Sequence, residues 1–395
     1  MMSIEHDCQQ KRRMRQTQNS ILKKGLAQVA ALSLLLTALT GCGVPSGNTS
    51  SHETSKSPTT VASKPSEPST SDPTSATTAE PPAPEPGSSI DNHWPAAPSP
   101  DVAAVWQPDL SVYFGRSIDA DPLAGITVII DPGHGGTDPG TTQGKITESE
   151  LNFSVCKLLR QELSALGATV FMTRTDDSFV SLHRRAALAG QLILKQHEKI
   201  LADAGKNVSL IPPLISAMDK IISANTDIAS AAGRGIMYGY GATADLRNVF
   251  DIERQHKEVL FLSVHSNSNP DTSLKGTMVY FSTNQIIYDG ERTDADPKLL
   301  RNPAYWYYRD SERQRLADGL YSTITGDVPE LSFNASNPVR AGHFAVLREE
   351  NLTGALIEMA CISNSSNLDF ISRPENQLRL ARAMAKAVYR FYCAE

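Results

Sequence analysis

The stretch Val128–Gly140, VIIDPGHGGTDPG, decides how this chain folds. An apolar, β-branched run beginning at Ile126 stops abruptly at Asp131-Pro132 and opens into a loop holding one histidine, four glycines and two prolines. A continuous apolar run bounded by turn residues has the pattern of a strand buried on both faces, as in a parallel sheet. Downstream, Leu151, Val155, Leu158, Leu159, Leu163 and Leu166 recur at helical spacing, so one face of a helix is apolar, and Gly167 fits its C-terminal stop. Ala168–Arg174 (ATVFMTR) reads as the next strand, residues 182–189 as a second helix, and Val259–His265 (VLFLSVH) as another buried strand. GTMVYF (276–281) and GALIEMA (354–360) read as further strands. The chain closes on a helix whose Leu380, Met384, Val388 and Phe391 share a face; Ser372 and Glu375, with Pro374 in the first turn, predict its N-terminus. Strands alternating with helices point to a layered α/β domain around one sheet.

Residues 190–258 interrupt that alternation. They hold two helical patterns, Gln191–Ala204 and Leu214–Ala232, and a glycine-rich break, GRGIMYGYG (233–241). The stretch reads as a mostly helical insertion at one end of the sheet.

Before the domain the composition changes. Basic residues (Lys11, Arg12, Arg13, Arg15, Lys23, Lys24) precede the apolar run LAQVAALSLLLTAL, which at about 14 residues is short for a bilayer span and right for a secretory h-region. It ends in Leu39-Thr40-Gly41-Cys42, which resembles the lipobox of bacterial lipoproteins and implies cleavage before Cys42 and a lipid on its sulfur. Met14 is an alternative translation start within a long polar leader. Residues 42–100 are rich in Ser, Thr, Pro and Glu and read as a disordered tether, because such a stretch buries too little apolar surface to offset its ordering entropy. Its reach is about 40 Å by flexible-chain scaling. Residues 101–125 form a short lead-in carrying Trp106 and Tyr113. The expected organisation is therefore signal peptide 1–41, anchor and linker 42–100, lead-in 101–125 and a folded α/β domain 126–395 that carries the insertion 190–258. The net charge of −6 provides no basic face for nucleic acid. Cys156, Cys361 and Cys393 are odd in number and read as buried free thiols.

His134 follows one buried strand and His265 ends another. In open α/β sheets ligands bind outside the carboxyl ends of the strands, so both imidazoles can meet there. Phe261, Ser263 and His265 share a strand face, and a histidine closing an apolar strand needs a partner for its ring nitrogens, of which zinc is one. Thr147 and Glu150 have capping-box spacing, which gives Glu150 a structural task and leaves Glu148, in the first helical turn, as the better metal ligand. Two histidines and a glutamate form a catalytic zinc set with an open position for water. Glu358, an acid inside an apolar strand, is the candidate for moving the proton. Singly, each residue has an ordinary structural reading; together they point to a zinc site.

VIIDPGHGGTDPG, ITESELNFSVCKLLRQEL, VFMTRTDDSFVSLHRRAALA, LFLSVHSNSNP and LIEMACISNSSN, in this order, resemble the zinc-dependent N-acetylmuramoyl-L-alanine amidases of the amidase-3 family over Ile126 to Tyr392. The resemblance implies a three-layer α/β domain with a mixed, about six-stranded sheet flanked by helices. It also implies one Zn2+ on His134, Glu148 and His265, with Glu358 as general base and acid, and hydrolysis of the bond between N-acetylmuramic acid and L-alanine of the peptidoglycan stem. Arg174, Asp176 and Arg185 match family positions, as salt-bridged supports or as substrate contacts. The chain departs from the family at Ala360-Cys361, where Gly-Phe is usual, and at Gly190, where Asn is usual. His183, His256 and His343 carry no spacing argument and read as surface or structural. Identical ligands would also serve a zinc peptidase acting within the stem, and the fold would serve an inactive wall-binding lipoprotein. The insertion is expected to serve as a substrate-side wall, an autoinhibitory element or a structural appendage. The expected partners are peptidoglycan, the membrane through Cys42, and a protein activator if the insertion is inhibitory; the expected location is extracytoplasmic, facing the wall or periplasm.

Overall fold

The computed structural model describes Val102 and residues 105–226, 244–294 and 307–394, all within one unit, Thr77–Glu395. The expected signal peptide, Cys42, the linker to residue 100 and residues 227–243 of the insertion lie outside the described residues.

The run after Ile126 forms β1 (Thr127–Pro132), buried throughout. A small ribbon of β2 (Thr142–Gln143) and β3 (Ile146–Thr147) leads into α1 (Glu148–Ala165), then β4 (Thr169–Met172) and α2 (Leu182–Asp203). After α3 (Ile211–Ala224) and α4 (Ala244–Glu253) come β5 (Val259–Asn267) and β6 (Met278–Phe281). α5 (Asn284–Asp294), α6 (Asp310–Asp327), β7 (Val339–Ala341) and the single turn α7 (Ala345–Arg348) precede β8 (Thr353–Cys361), α8 (Ser365–Ile371) and α9 (Pro374–Cys393). The six-stranded sheet has the order β4-β1-β5-β8-β6-β7. β4, β1, β5 and β8 run parallel, and β6 pairs antiparallel with β8, which makes the sheet mixed as expected. β7, too short to show a pattern in the sequence, pairs parallel with β6 at the edge.

Side-chain alternation sends the strands' residues into two separate cores. Val128, Ile130, Leu262, Val264, Ile357 and Met359 pack with Leu159, Leu320, Leu380 and Val388, so α1, α6 and α9 cover one face. Ile129, Phe261 and Leu356 pack with Ile193, Leu194, Met218, Val249 and Phe250, so α2, α3 and α4 cover the other. The described part of the 190–258 stretch is thus a full helical layer. Gly190 does not end the second helix: α2 runs 22 residues straight through it, and a side chain there would press on Met218, Val249 and the Glu253 carboxyl at 3.2–3.3 Å.

Two local expectations change. Thr147 caps α1 by accepting from the Glu150 amide, but Glu150 is exposed and makes no return bond among the described residues. Ser372 does not begin the last helix; it is the C-cap of α8, its hydroxyl donating to the Leu368 carbonyl, and α9 starts at Pro374 after Arg373 without a side-chain cap. Two helices abut there, and the backward bond claims the hydroxyl. Cys156, Cys361 and Cys393 are buried and free. Trp106 and Tyr113 of the lead-in both pack, Trp106 donating to Glu258 and Tyr113 lying against Tyr392. No described helix is long and apolar enough to cross a membrane.

Candidate metal centre

Adjacent strands β1, β5 and β8 end side by side, and that alignment brings together residues far apart in the chain. His134 lies just beyond β1, with φ at 59°, a left-handed backbone that costs energy outside glycine. His265 lies near the end of β5, and Glu358 is its register partner on β8. Glu148 opens α1 and is 4% exposed.

The three candidate ligands meet at one point. His134 Nε2 and His265 Nδ1 each lie 3.1 Å from the same oxygen, Glu148 Oε1. The rings stand nearly edge to face with centroids 5.0 Å apart, and one ligand atom from each residue falls within 4.8 Å of the other two. Gly133 permits this approach, because a Cβ there would sit 2.3 Å from the His265 ring.

The electrostatics suit a cation. Burial disfavours charge on His134, yet the hydrogen bonds its ring donates to Asp138 and Glu148 outweigh it and push the imidazole up to about 9. Burial would raise the Glu148 carboxyl, but the two histidines hold it well below the usual carboxylate range. Two imidazoles and an ionised carboxylate are a donor set for a divalent transition metal, so the residues fit such an ion. Glu148 is also oriented by the Ser266 amide at 3.1 Å, the Thr141 amide at 3.0 Å and Asn152 Nδ2 at 3.3 Å.

Asp138 is a site residue that sequence reasoning missed. Its Oδ2 lies 2.8 Å from His134 Nδ1, which leaves Nε2 of that ring facing Glu148 and His265. A carboxylate on the far nitrogen of a metal-binding histidine fixes its tautomer and raises its basicity. The signal was present as the second aspartate of the opening motif, inside the same tight loop.

The loop below His134 is braced by two buried arginines. Arg185 donates to Asp131 Oδ1 and to the carbonyls of Pro132, His134 and Val180. Arg174 donates to the carbonyls of Pro132, Gly133, Ser149 and Asp176. Asp131 also accepts from Ser263 at 2.8 Å and from Thr173 at 2.5 Å. Arg174 and Arg185 therefore support the site from beneath, and neither lines the cavity. Asp176 serves the same loop region by accepting from the Ser178 amide. His183 and His256 are buried and structural, at 3% and 0% exposure.

Glu358 faces the cluster from β8. Its Oε2 is buried without a hydrogen-bond partner. Burial pushes the carboxyl up to about 7, with His265 and His134 pulling down and Glu148 adding to the rise. His134, Asp138, Glu148, His265, Asn267 and Glu358 line an open cavity of about 450 Å³. No described residue from 190–258 lines it.

The sequence profile of the N-acetylmuramoyl-L-alanine amidase family Amidase_3 matches residues 128–204 and 221–390. It therefore passes through most of the stretch read as an insertion. The chain is 30% identical over 190 residues to the probable cell wall amidase LytH of Staphylococcus aureus, a match spanning 47% of this chain and 64% of that protein. Less than two thirds of that relative is thus represented. Among solved structures, the N-acetylmuramoyl-L-alanine amidase AmiC2 of Nostoc punctiforme is 18% identical, the likeness covering 68% of this chain and 97% of that one with a TM-score of 0.40. Ami1 from Mycobacterium smegmatis is 14% identical, over 68% and 98% of the two chains, with a TM-score of 0.42.

Proposed function

The chain belongs to the N-acetylmuramoyl-L-alanine amidase family Amidase_3, and on that premise we propose that it is a zinc-dependent peptidoglycan amidase cleaving the bond between N-acetylmuramic acid and L-alanine of the stem peptide. The carrying observation is the convergence of His134 and His265 on Glu148 Oε1, beside the unpartnered Glu358 Oε2 in one open cavity.

His134, Glu148 and His265 would hold the zinc. When bound, it supplies Lewis acidity, which lowers the pKa of a water and polarises a carbonyl. Glu358 does the proton work: a carboxyl held near 7 takes a proton on Oε2 from an attacking water and returns it to the departing amine nitrogen. Asp138 holds His134 in one tautomer, and Arg174 and Arg185 keep the loop carbonyls in register with the strand ends.

Peptidoglycan as substrate puts the work outside the cytoplasm. The Leu39–Cys42 lipobox pattern supports anchoring through a lipid on Cys42, with residues 42–100 as the tether. The packing of α2, α3 and α4 on the sheet supports a structural layer as the role of the described part of 190–258, over a helix that blocks the metal until an activator displaces it.

The test is a digest of purified peptidoglycan by the full chain, with and without chelator, followed by mass spectrometry. Free stem peptides beginning with L-alanine, formed only with zinc present, are expected. Shortened stems still joined to muramic acid would replace the reading with a peptidase, and intact peptidoglycan would replace it with a wall-binding role.

A further inference from the structure

The sheet continues past Glu358 onto two strands that the metal centre does not use. Met278 is opposite Glu358, Tyr280 is opposite Leu356, and Arg340 is opposite Tyr280. Val279, Phe281, Val339 and Ala341 pack into the core under α6 and α9. Alternation therefore sends Met278, Tyr280 and Arg340 to the face that carries His265 and Glu358. Tyr280 and Phe344 meet edge to face at 4.8 Å and form an apolar ledge between the carboxylate and the arginine.

Arg340 is exposed and held ready. Its Nε donates to the Asn337 carbonyl at 2.7 Å and an Nη to the Ser336 carbonyl at 3.4 Å. Asn337 has a left-handed backbone, φ 55°, at this turn. The bonded edge of the guanidinium is thus fixed to main chain, and among the described residues no acidic side chain pairs with its charge. No arginine or lysine is among the described residues that line the metal cavity itself.

We infer that this face of β6 and β7 is the subsite for the peptide on the amine side of the scissile amide, and that Arg340 receives a free carboxylate on its second residue. The inference rests on the amidase reading and adds its substrate specificity. By strand spacing, the Arg340 Cα stands about 12 Å from that of Glu358. The second residue of a peptide leaves its carboxylate about 7 Å from the scissile nitrogen, and the arginine side chain spans the remainder. A fork-shaped guanidinium matches a carboxylate and does not match a carboxamide in charge.

The test uses the zinc-loaded full chain and two N-acetylmuramoyl tripeptide amides, L-Ala-γ-D-Glu-L-Lys with the glutamate α-carboxylate free or amidated. The wild type is expected to prefer the free acid by about three- to tenfold in kcat/KM. Arg340→Gln should lower the free acid close to the level of the amidated peptide, with a much smaller loss on the amidated peptide, while Arg340→Lys restores part of the preference. An unchanged preference in Arg340→Gln, or equal losses on both peptides, would overturn the inference. Failure of the wild type to cleave either peptide or peptidoglycan would sink the amidase reading beneath it.

Discussion

Among the described residues two groups of two histidines and one glutamate stand out, one half-buried at a cavity and one buried, and they behave differently. At the strand ends, His134 and His265 both approach Glu148 Oε1 at 3.1 Å. Under the lead-in, the same set of two histidines and a glutamate forms a line. His197 Nδ1 lies 3.1 Å from His256 Nε2, His256 Nδ1 lies 2.7 Å from Glu258 Oε1, and Trp106 donates to that oxygen at 3.0 Å. A convergent arrangement leaves one point that three donors share, open to a cavity. A linear one hands each donor to the next and ties α2 to the lead-in. Composition alone does not make a candidate metal site; convergence on an accessible point does.

The sharpest way to break this comparison is at Glu358, the group proposed to give the first cluster its chemistry. Glu358→Gln should leave zinc bound and lower kcat by about 10²- to 10⁴-fold; a rate near wild type would remove Glu358 from the proton transfer. The next test sets the clusters side by side. His265→Ala should lose most of the bound metal, while His197→Ala should keep full stoichiometry and melt at a lower temperature. Equal metal loss in both, read by atomic emission, would erase the distinction. A smaller effect is expected from Asp138→Asn, which keeps the ligands but removes the anion behind His134. Its zinc affinity should fall about 10- to 100-fold, and unchanged affinity in a chelator competition would reduce Asp138 to a loop contact.

The smallest effect concerns acid. Burial, with His256 nearby, holds His197 down to about 4, against an ordinary value of 6.5. Burial does the same to His183, also to about 4. A histidine depressed in the folded state stabilises the fold while neutral; that contribution is complete above 6.5 and is lost as pH falls from 6.5 through about 4. The melting temperature should therefore drop across this window, and His197→Asn should flatten part of the decline. Parallel curves for the two proteins would show that His197 does not contribute.

Much of this was legible beforehand. β1, β5, β6 and β8 were visible as apolar runs, and α1 and α9 as apolar stripes, because burial on defined faces imposes periods of two and 3.6 residues. Glu148 stood out from Glu150 by its position relative to Thr147. Other features left no periodic trace. β7 has three residues, too few for alternation to register. The patterns at 182–189 and 191–204 read as two helices, yet the contacts of α2 with α3 and α4 carry one helix across Gly190. Asp138 carries no periodic signal, since its contact depends on a loop closing back on His134.

The sequence by itself determined the kinds of elements, the polar residues at their ends and the family to which the chain is similar. These are local properties, set by side-chain type and spacing. The tertiary structure alone decided that His134 and His265 meet at one oxygen of Glu148, 117 residues from His265 in the chain, that burial pushes Glu358 up to about 7, and that Arg340 stands on the face that carries Glu358. The physical reason is that sheet order and burial are collective: the order β1-β5-β8-β6-β7 chooses neighbours, and the loss of water around them sets their charge.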